Sequence, residues 1–162
     1  MIRRLDPDEF ELLRELRLGA LSDSPDAFGS SYSTEVTYSE NEWRHLLRRE
    51  GNPTFVDEDE SGTNGLVVAA RDASDAREMW LVAMWVRPWA RRSGVGDALV
   101  RRVLRWAVEQ SATRVRLSVV ESNEDAERLY ARNGFVRTGR SEVRERDAAR
   151  EVEMQLIVSP SS

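Results

Sequence analysis

Cysteine is absent from the 162 residues, which removes disulfides, thiolate metal ligands and any cysteine nucleophile. Histidine occurs once, as His45, so a multi-histidine metal site is excluded and a Ser-His-Asp triad would have to be built on that residue alone. His45 stands in the helical pattern Trp43-Arg44-His45-Leu46-Leu47, which reads as a surface or half-buried helix position. Basic charge is in deficit: the formal net charge of −5 opposes the positive footprint that sequence-independent nucleic-acid binding needs. No apolar run approaches the ~18 residues of a membrane span, and Met1-Ile2-Arg3-Arg4 is followed by no apolar signal core. The expectations are therefore no metal, no nucleic-acid or membrane partner, and a cytoplasmic location.

What is present suffices for a core. Hydrophobic residues make up 40% and charged residues 33%, the balance of a soluble globular chain. Residues 1–158 are expected to form one domain, with Ser159-Pro160-Ser161-Ser162 as a flexible tail, and no internal repeat divides the chain.

Asp6-Pro7-Asp8-Glu9 carries a capping side chain, proline at a first helical position and a glutamate placed for a capping box, so a helix is expected from there to about Leu21. Ser22-Asp23-Ser24-Pro25 breaks it, a short helical stretch begins near Asp26, and Ser39 with Glu42 announces another helix. After Gly51 the pattern turns to β: Thr54 to Val56, Leu66 to Ala70 and Trp80 to Val86 read as an antiparallel meander. Gly94 to Ser111 returns to helical spacing. Arg114 to Val120 alternates as a half-buried strand, Asn123 to Asn133 reads as a helix stopped by Gly134, and strands follow at Phe135-Val136 and Val152 to Val158.

The segment most informative about chemistry is Arg91-Arg92-Ser93-Gly94-Val95-Gly96-Asp97, between the Trp80–Val86 strand and a helix. Backbone N–H groups converge at such a helix start, the dipole favours an anion, and glycine admits phosphate oxygens closely. The two glycines also suit a plain tight turn, but the preceding arginines favour the anion site. A Walker loop needs Gly-Lys-Ser/Thr, which Gly94-Val95-Gly96-Asp97 lacks, and a dinucleotide fingerprint needs glycine where Leu99 stands. A nucleotide-binding enzyme is accordingly a distant third reading.

The stretch Arg91 to Gly96 matches every specified position of the Arg/Gln-x-x-Gly-x-Gly/Ala loop of the GNAT superfamily of N-acetyltransferases, which the chain resembles from about Leu5 to Leu156. A second signature, Asn123 to Phe135 with its terminal Gly134-Phe135, looks like the family's fifth-strand-to-fourth-helix segment. The resemblance implies an α/β (α+β) fold: a mixed, mostly antiparallel sheet of six or seven strands flanked by helices, splayed between its fourth and fifth strands. It implies acetyl-CoA as cosubstrate in the splay. Main-chain groups of Met84 and Val86 would hold pantetheine, Arg91, Arg92, Ser93, Gly94, Val95, Gly96 and Asp97 would surround the pyrophosphate, and Asn123 would contact the cofactor. Tyr130 would be the general acid for the departing thiolate, since a phenol of pKa near 10 holds its proton at rest.

The resemblance thus implies an N-acetyltransferase moving an acetyl group to a primary amine by direct attack in a ternary complex, with a main-chain N–H near Val86 stabilising the oxyanion. The general base is open. Where some members carry glutamate stands Trp80, leaving Glu78, Glu35 or water. That absence motivates the alternative of a non-catalytic acyl-CoA-binding or sensor module. Asn123 also suits an N-cap and Tyr130 a packing role. Of the five tryptophans, Trp43, Trp80 and Trp106 read as core, while Trp85 and Trp89 flank the cofactor strand. Arg144-Glu145-Arg146-Asp147 reads as a solvated hairpin tip, and Ala27 to Tyr32 either as a linker or as part of acceptor specificity. The acceptor, a small-molecule or peptide amine, is not legible, although the acidic balance mildly favours a cation. Nor are acyl preference and oligomeric state, homodimers being common in the family.

Overall fold

The computed structural model describes residues 1–49 and 51–158; the tail expected at 159–162 lies outside them. Seven strands form one sheet: β1 (Ile2–Arg4), β2 (Thr54–Asp59), β3 (Gly62–Arg71), β4 (Glu78–Val86), β5 (Arg114–Val120), β6 (Val136–Val143) and β7 (Arg150–Ile157), in the order β1-β2-β3-β4-β5-β7-β6. All neighbours are antiparallel except β4 and β5. That parallel pair is registered only at Glu78↔Arg114, Met79↔Val115 and Trp80↔Arg116, so from Leu81 and Leu117 onward the two strands part. The mixed, splayed sheet expected above is the one observed.

Helices cover both faces. The helix α1 (Phe10–Asp23), the single turn α2 (Tyr32–Glu35) and α3 (Glu40–Arg48) occupy one, where Leu16, Leu21 and Trp43 pack against Val56, Leu66 and Trp85. On the other, α4 (Val95–Glu109) and α5 (Glu124–Arg132) cover Phe55, Val67, Met79, Leu117 and Met154. The α3 start is as its sequence dictates, with Ser39 and Glu42 forming a reciprocal capping box. The start of α1 is later than expected: Pro7 and Asp8 form a turn and the helix opens at Phe10. Glu9 does reach back to the Asp6 amide at 2.7 Å, but the same carboxylate is gripped by the Arg3 guanidinium at 2.7 and 2.9 Å.

One irregularity sets the geometry of everything that follows. The β3–β4 register slips between Leu66↔Trp85 and Val68↔Val82, and Ala83, at the extra position, has φ 55°. A bulge reverses which side of the sheet each later residue faces. Met79 and Leu81 accordingly belong to the α4 face before it, whereas after it Trp85 joins the α1 face and Met84 and Val86 pack on the α4 side. Trp80 therefore faces the α1 side rather than the core, its indole donating to Asp72 at 3.0 Å beneath the Arg116 guanidinium.

Candidate active site

Two cavities meet where β4 and β5 part. One, of about 410 Å³, runs from the start of α4 to Met84 and Val86 and is walled by α5. The other, of about 520 Å³, lies on the α1–α3 face against Trp80, Val82, Ala83, Ser118 and Glu151. Ala27 and Phe28 line both. The bulge at Ala83 stands at their junction, so the reversal of side-chain direction divides one groove from the other.

At the open end of the first groove, the amides of Val95, Gly96 and Asp97 precede the first intrahelical bond, from Ala98 to Gly94 at 3.0 Å. Gly94 turns the chain with φ 90°, and among the described residues nothing lies within 4 Å of where its Cβ would be. Gly96 answers a different need: a Cβ there would sit 3.2 Å from Leu129, so its absence lets α4 approach α5. Arg92, with φ 61°, has no ion-pair partner among the described residues. Arg91 is committed differently, donating to the Val86 carbonyl at 2.9 Å and to the Asp23 carboxylate, which also accepts from Trp85 at 3.0 Å. Those partners, the Trp85 indole foremost, hold the Asp23 pKa below the ordinary aspartate value.

Of the residues assigned to a cofactor from the sequence, Met84, Val86, Arg91, Arg92, Gly94, Gly96, Asp97 and Asn123 line this groove, whereas Ser93 and Val95 do not. Ser93 is bonded back to the Ala90 carbonyl. Asp97 braces α4 on α5 through Arg132 at 3.0 Å and Asn133 at 2.9 Å, and the Arg132 bond leads the causes that lower its pKa. Asn123 caps α5, accepting from the Ala126 amide at 3.2 Å. Tyr130 is 6% exposed, its ring edge-on to Phe135 at 6.0 Å, and it stands in the core beside the groove wall formed by Ala126 and Leu129. Burial raises its pKa. Ala126, Arg128 and Leu129 line the groove without having been singled out by the sequence, although the i+3 and i+6 spacing of Ala126 and Leu129 from Asn123 was an available signal; Phe28, from the stretch weighed for acceptor specificity, lines it too.

Both carboxylates weighed as bases are engaged. Glu35 is 4% exposed and takes Arg17 with both oxygens at 2.8 and 2.9 Å. Glu78 lies where the strands still pair, between Arg114 at 2.9 Å and Arg116 at 3.1 Å. The Arg144–Asp147 tip is also not simply solvated: the Arg144 side chain is 10% exposed and bonded to the Ala27–Phe28 region.

The family model for acetyltransferases of the GNAT type matches residues 17–135, and the chain belongs to that family. Uncharacterized N-acetyltransferases of Mycobacterium tuberculosis and Mycobacterium bovis are 36% identical over 61 residues, which is 38% of this chain and 39% of each relative's length. Among solved structures, the acetyltransferase of GNAT family from Streptococcus pneumoniae superposes with a TM-score of 0.79 at 16% identity, covering 97% of this chain and 98% of the other. YncA of Salmonella typhimurium, whose structure holds its cofactor acetyl-CoA, gives 0.78 at 17% identity, covering 100% and 95%. At such identities the structural likeness concerns the fold. Among the described residues no helix is long and apolar enough to cross a membrane.

Proposed function

We propose that this protein transfers an acetyl group from acetyl-CoA to a primary amine by direct attack within a ternary complex. The observation that carries the reading is the pair of grooves meeting at the Ala83 bulge, one ending in unpaired helix amides, the other open to a second molecule. The residues present fit the cosubstrate. The amides of Val95 to Asp97 and the Arg92 guanidinium suit a diphosphate, and main-chain groups of Met84 and Val86 suit the pantetheine amides. The acetyl thioester supplies an activated carbonyl carbon.

The remaining work falls to the chain. Binding an amine and a thioester in adjoining grooves replaces a bimolecular encounter by a positioned one. Main-chain N–H groups beside the bulge are suited to the oxyanion. Tyr130, kept protonated by burial, would donate a hydrogen bond to the sulfur as charge gathers there, as a donor more than as a free proton source. With Glu35 and Glu78 bound by arginines, the proton on the incoming ammonium is expected to leave through water.

The same engagement of Glu35 and Glu78 favours one second reading, an acyl-CoA-binding module without turnover. Calorimetric titration with acetyl-CoA and a thiol-release assay over an amine panel separate them. Transfer predicts tight binding and acceptor-dependent thiol; a sensor binds and releases none; no binding refutes both. Tyr130→Phe, which removes one hydrogen bond to developing charge, is expected to lower kcat about 10- to 100-fold with acetyl-CoA affinity retained, and unchanged turnover removes Tyr130 from the mechanism.

A further inference from the structure

The strap joining α1 to α2 carries Phe28 and Gly29 past the junction of the two grooves, and the tip of the β6–β7 hairpin reaches over it. Arg144 donates to the carbonyls of Asp26 at 2.7 Å and Phe28 at 3.1 Å. Arg146 donates to Ser30 at 2.7 Å, Phe28 at 2.6 Å and Pro25 at 3.3 Å. Arg144 is itself fixed by Asp147 at 2.6 Å and by Glu151 at 3.3 Å. Two planar guanidinium groups thus set the direction of successive peptide units, the Phe28 carbonyl being held twice.

A trans peptide points its N–H opposite its carbonyl, and no bond among the described residues is cis. With the Phe28 carbonyl drawn to Arg144 and Arg146, the Gly29 N–H is turned away from those two guanidinium groups, and Phe28, Gly29 and Ser30 line the α1-side groove. It meets no acceptor among the described residues. Among the described residues nothing lies within 4 Å of where a Cβ on Gly29 would be, so no neighbouring side chain crowds the strap there. The groove's carboxylates are already compensated, Glu35 by Arg17 and Glu151 by Arg144. It therefore offers an incoming amine a donor and no unmatched anion, which disfavours a polycation.

We infer that Arg144 and Arg146 are positioning residues that aim the Gly29 amide into the acceptor groove, and that this amide takes a carbonyl or carboxylate oxygen on the acceptor. The preferred amine then carries a carbonyl group on the carbon that bears its nitrogen, as amino acids and their amides do. This rests on the transfer reading above.

The test uses the full chain and matched acceptors that differ only in the carboxamide: alaninamide against ethylamine, leucinamide against isoamylamine, phenylalaninamide against phenethylamine. The free amino acids distinguish a carboxylate from a neutral carbonyl, and spermidine tests the polycation. For each pair the ratio of kcat/KM is compared between the native protein and Arg146→Ala, with Arg144→Gln as the second variant. Amine basicity is the same for both proteins, so the change in the ratio isolates the amide. The expected result is a ratio that falls about tenfold, the loss typical of one hydrogen bond, through a higher KM for the carboxamide. In Arg146→Ala, turnover of the plain amine and acetyl-CoA affinity stay unchanged. A ratio that survives in both variants, equal losses for both members of each pair, or spermidine as the best acceptor overturns the inference. If no acceptor turns over, amide NMR of the CoA-loaded protein decides: a Gly29 shift on adding leucinamide upholds the inference while transfer fails, and no shift overturns it.

Discussion

Gly65→Ala tests the packing behind β4, because the cost follows from the contacts a Cβ would make there. Gly65 lies opposite Val86 in the β3–β4 ladder. A Cβ there would stand 2.6 Å from the Trp85 carbonyl oxygen, 3.2 Å from the Val86 Cα and 3.3 Å from a Leu99 methyl. The first contact is to backbone, so no side chain can rotate away, and the strands must part by roughly half an ångström to reach ordinary contact. Overpacking of this kind costs about 1–3 kcal/mol. For a chain of this size that lowers Tm by roughly 3–10 °C. Gly65 does not have a left-handed φ, so strain of the backbone itself does not enter. Displacing β4 also pushes Val86 into the splay, so acetyl-CoA affinity should fall together with stability. Denaturant unfolding and calorimetry read the two quantities. A variant with native Tm and native affinity would refute the close approach and the coupling of β3 to the groove.

Ala83→Val places a β-branched residue at φ 55° and should cost about 1–3 kcal/mol, whereas Ala83→Gly should be neutral or stabilising; thermal melts compare them. Asp97 has its pKa lowered by Arg132 above all, so its ionised form stabilises the folded state above the unfolded aspartate pKa, and that contribution is lost as pH falls through the folded value. The stability gap between the native protein and Asp97→Asn should therefore be widest near neutrality and shrink as pH falls below the ordinary aspartate range; a gap independent of pH contradicts the ion pair. Asn123→Ala should cost about 1 kcal/mol as a lost cap. Asn123→Asp keeps the cap, so weaker acetyl-CoA binding in that variant reports contact with the cosubstrate, and unchanged binding limits Asn123 to capping.

Local signals were legible where partners lie within a few residues. The Ser39–Glu42 capping box, the Asn123 cap of α5 and the full extent of β5 are all stated by the residues that form them. The α1 boundary failed because Glu9 has a competing partner, Arg3, on a strand of three residues too short and too charged to be read from its sequence. The bulge was hidden because its left-handed residue is Ala83, with no glycine to mark it. Its consequence was a wrong parity for β4, which sent Trp80 to the core and kept Glu78 under consideration as a base. The arginine clamp left no signal either. Arg144 and Arg146 bind main-chain carbonyls more than 110 residues distant, and a carbonyl carries no side-chain code.

The most direct test of the account is a titration of labelled protein with CoA followed by amide NMR. The amides of Arg92 to Asp97 should move together with those of Met84 and Val86, while β1 and the β2–β3 turn stay still. Perturbations confined to any other surface, or none at saturating CoA, would contradict it.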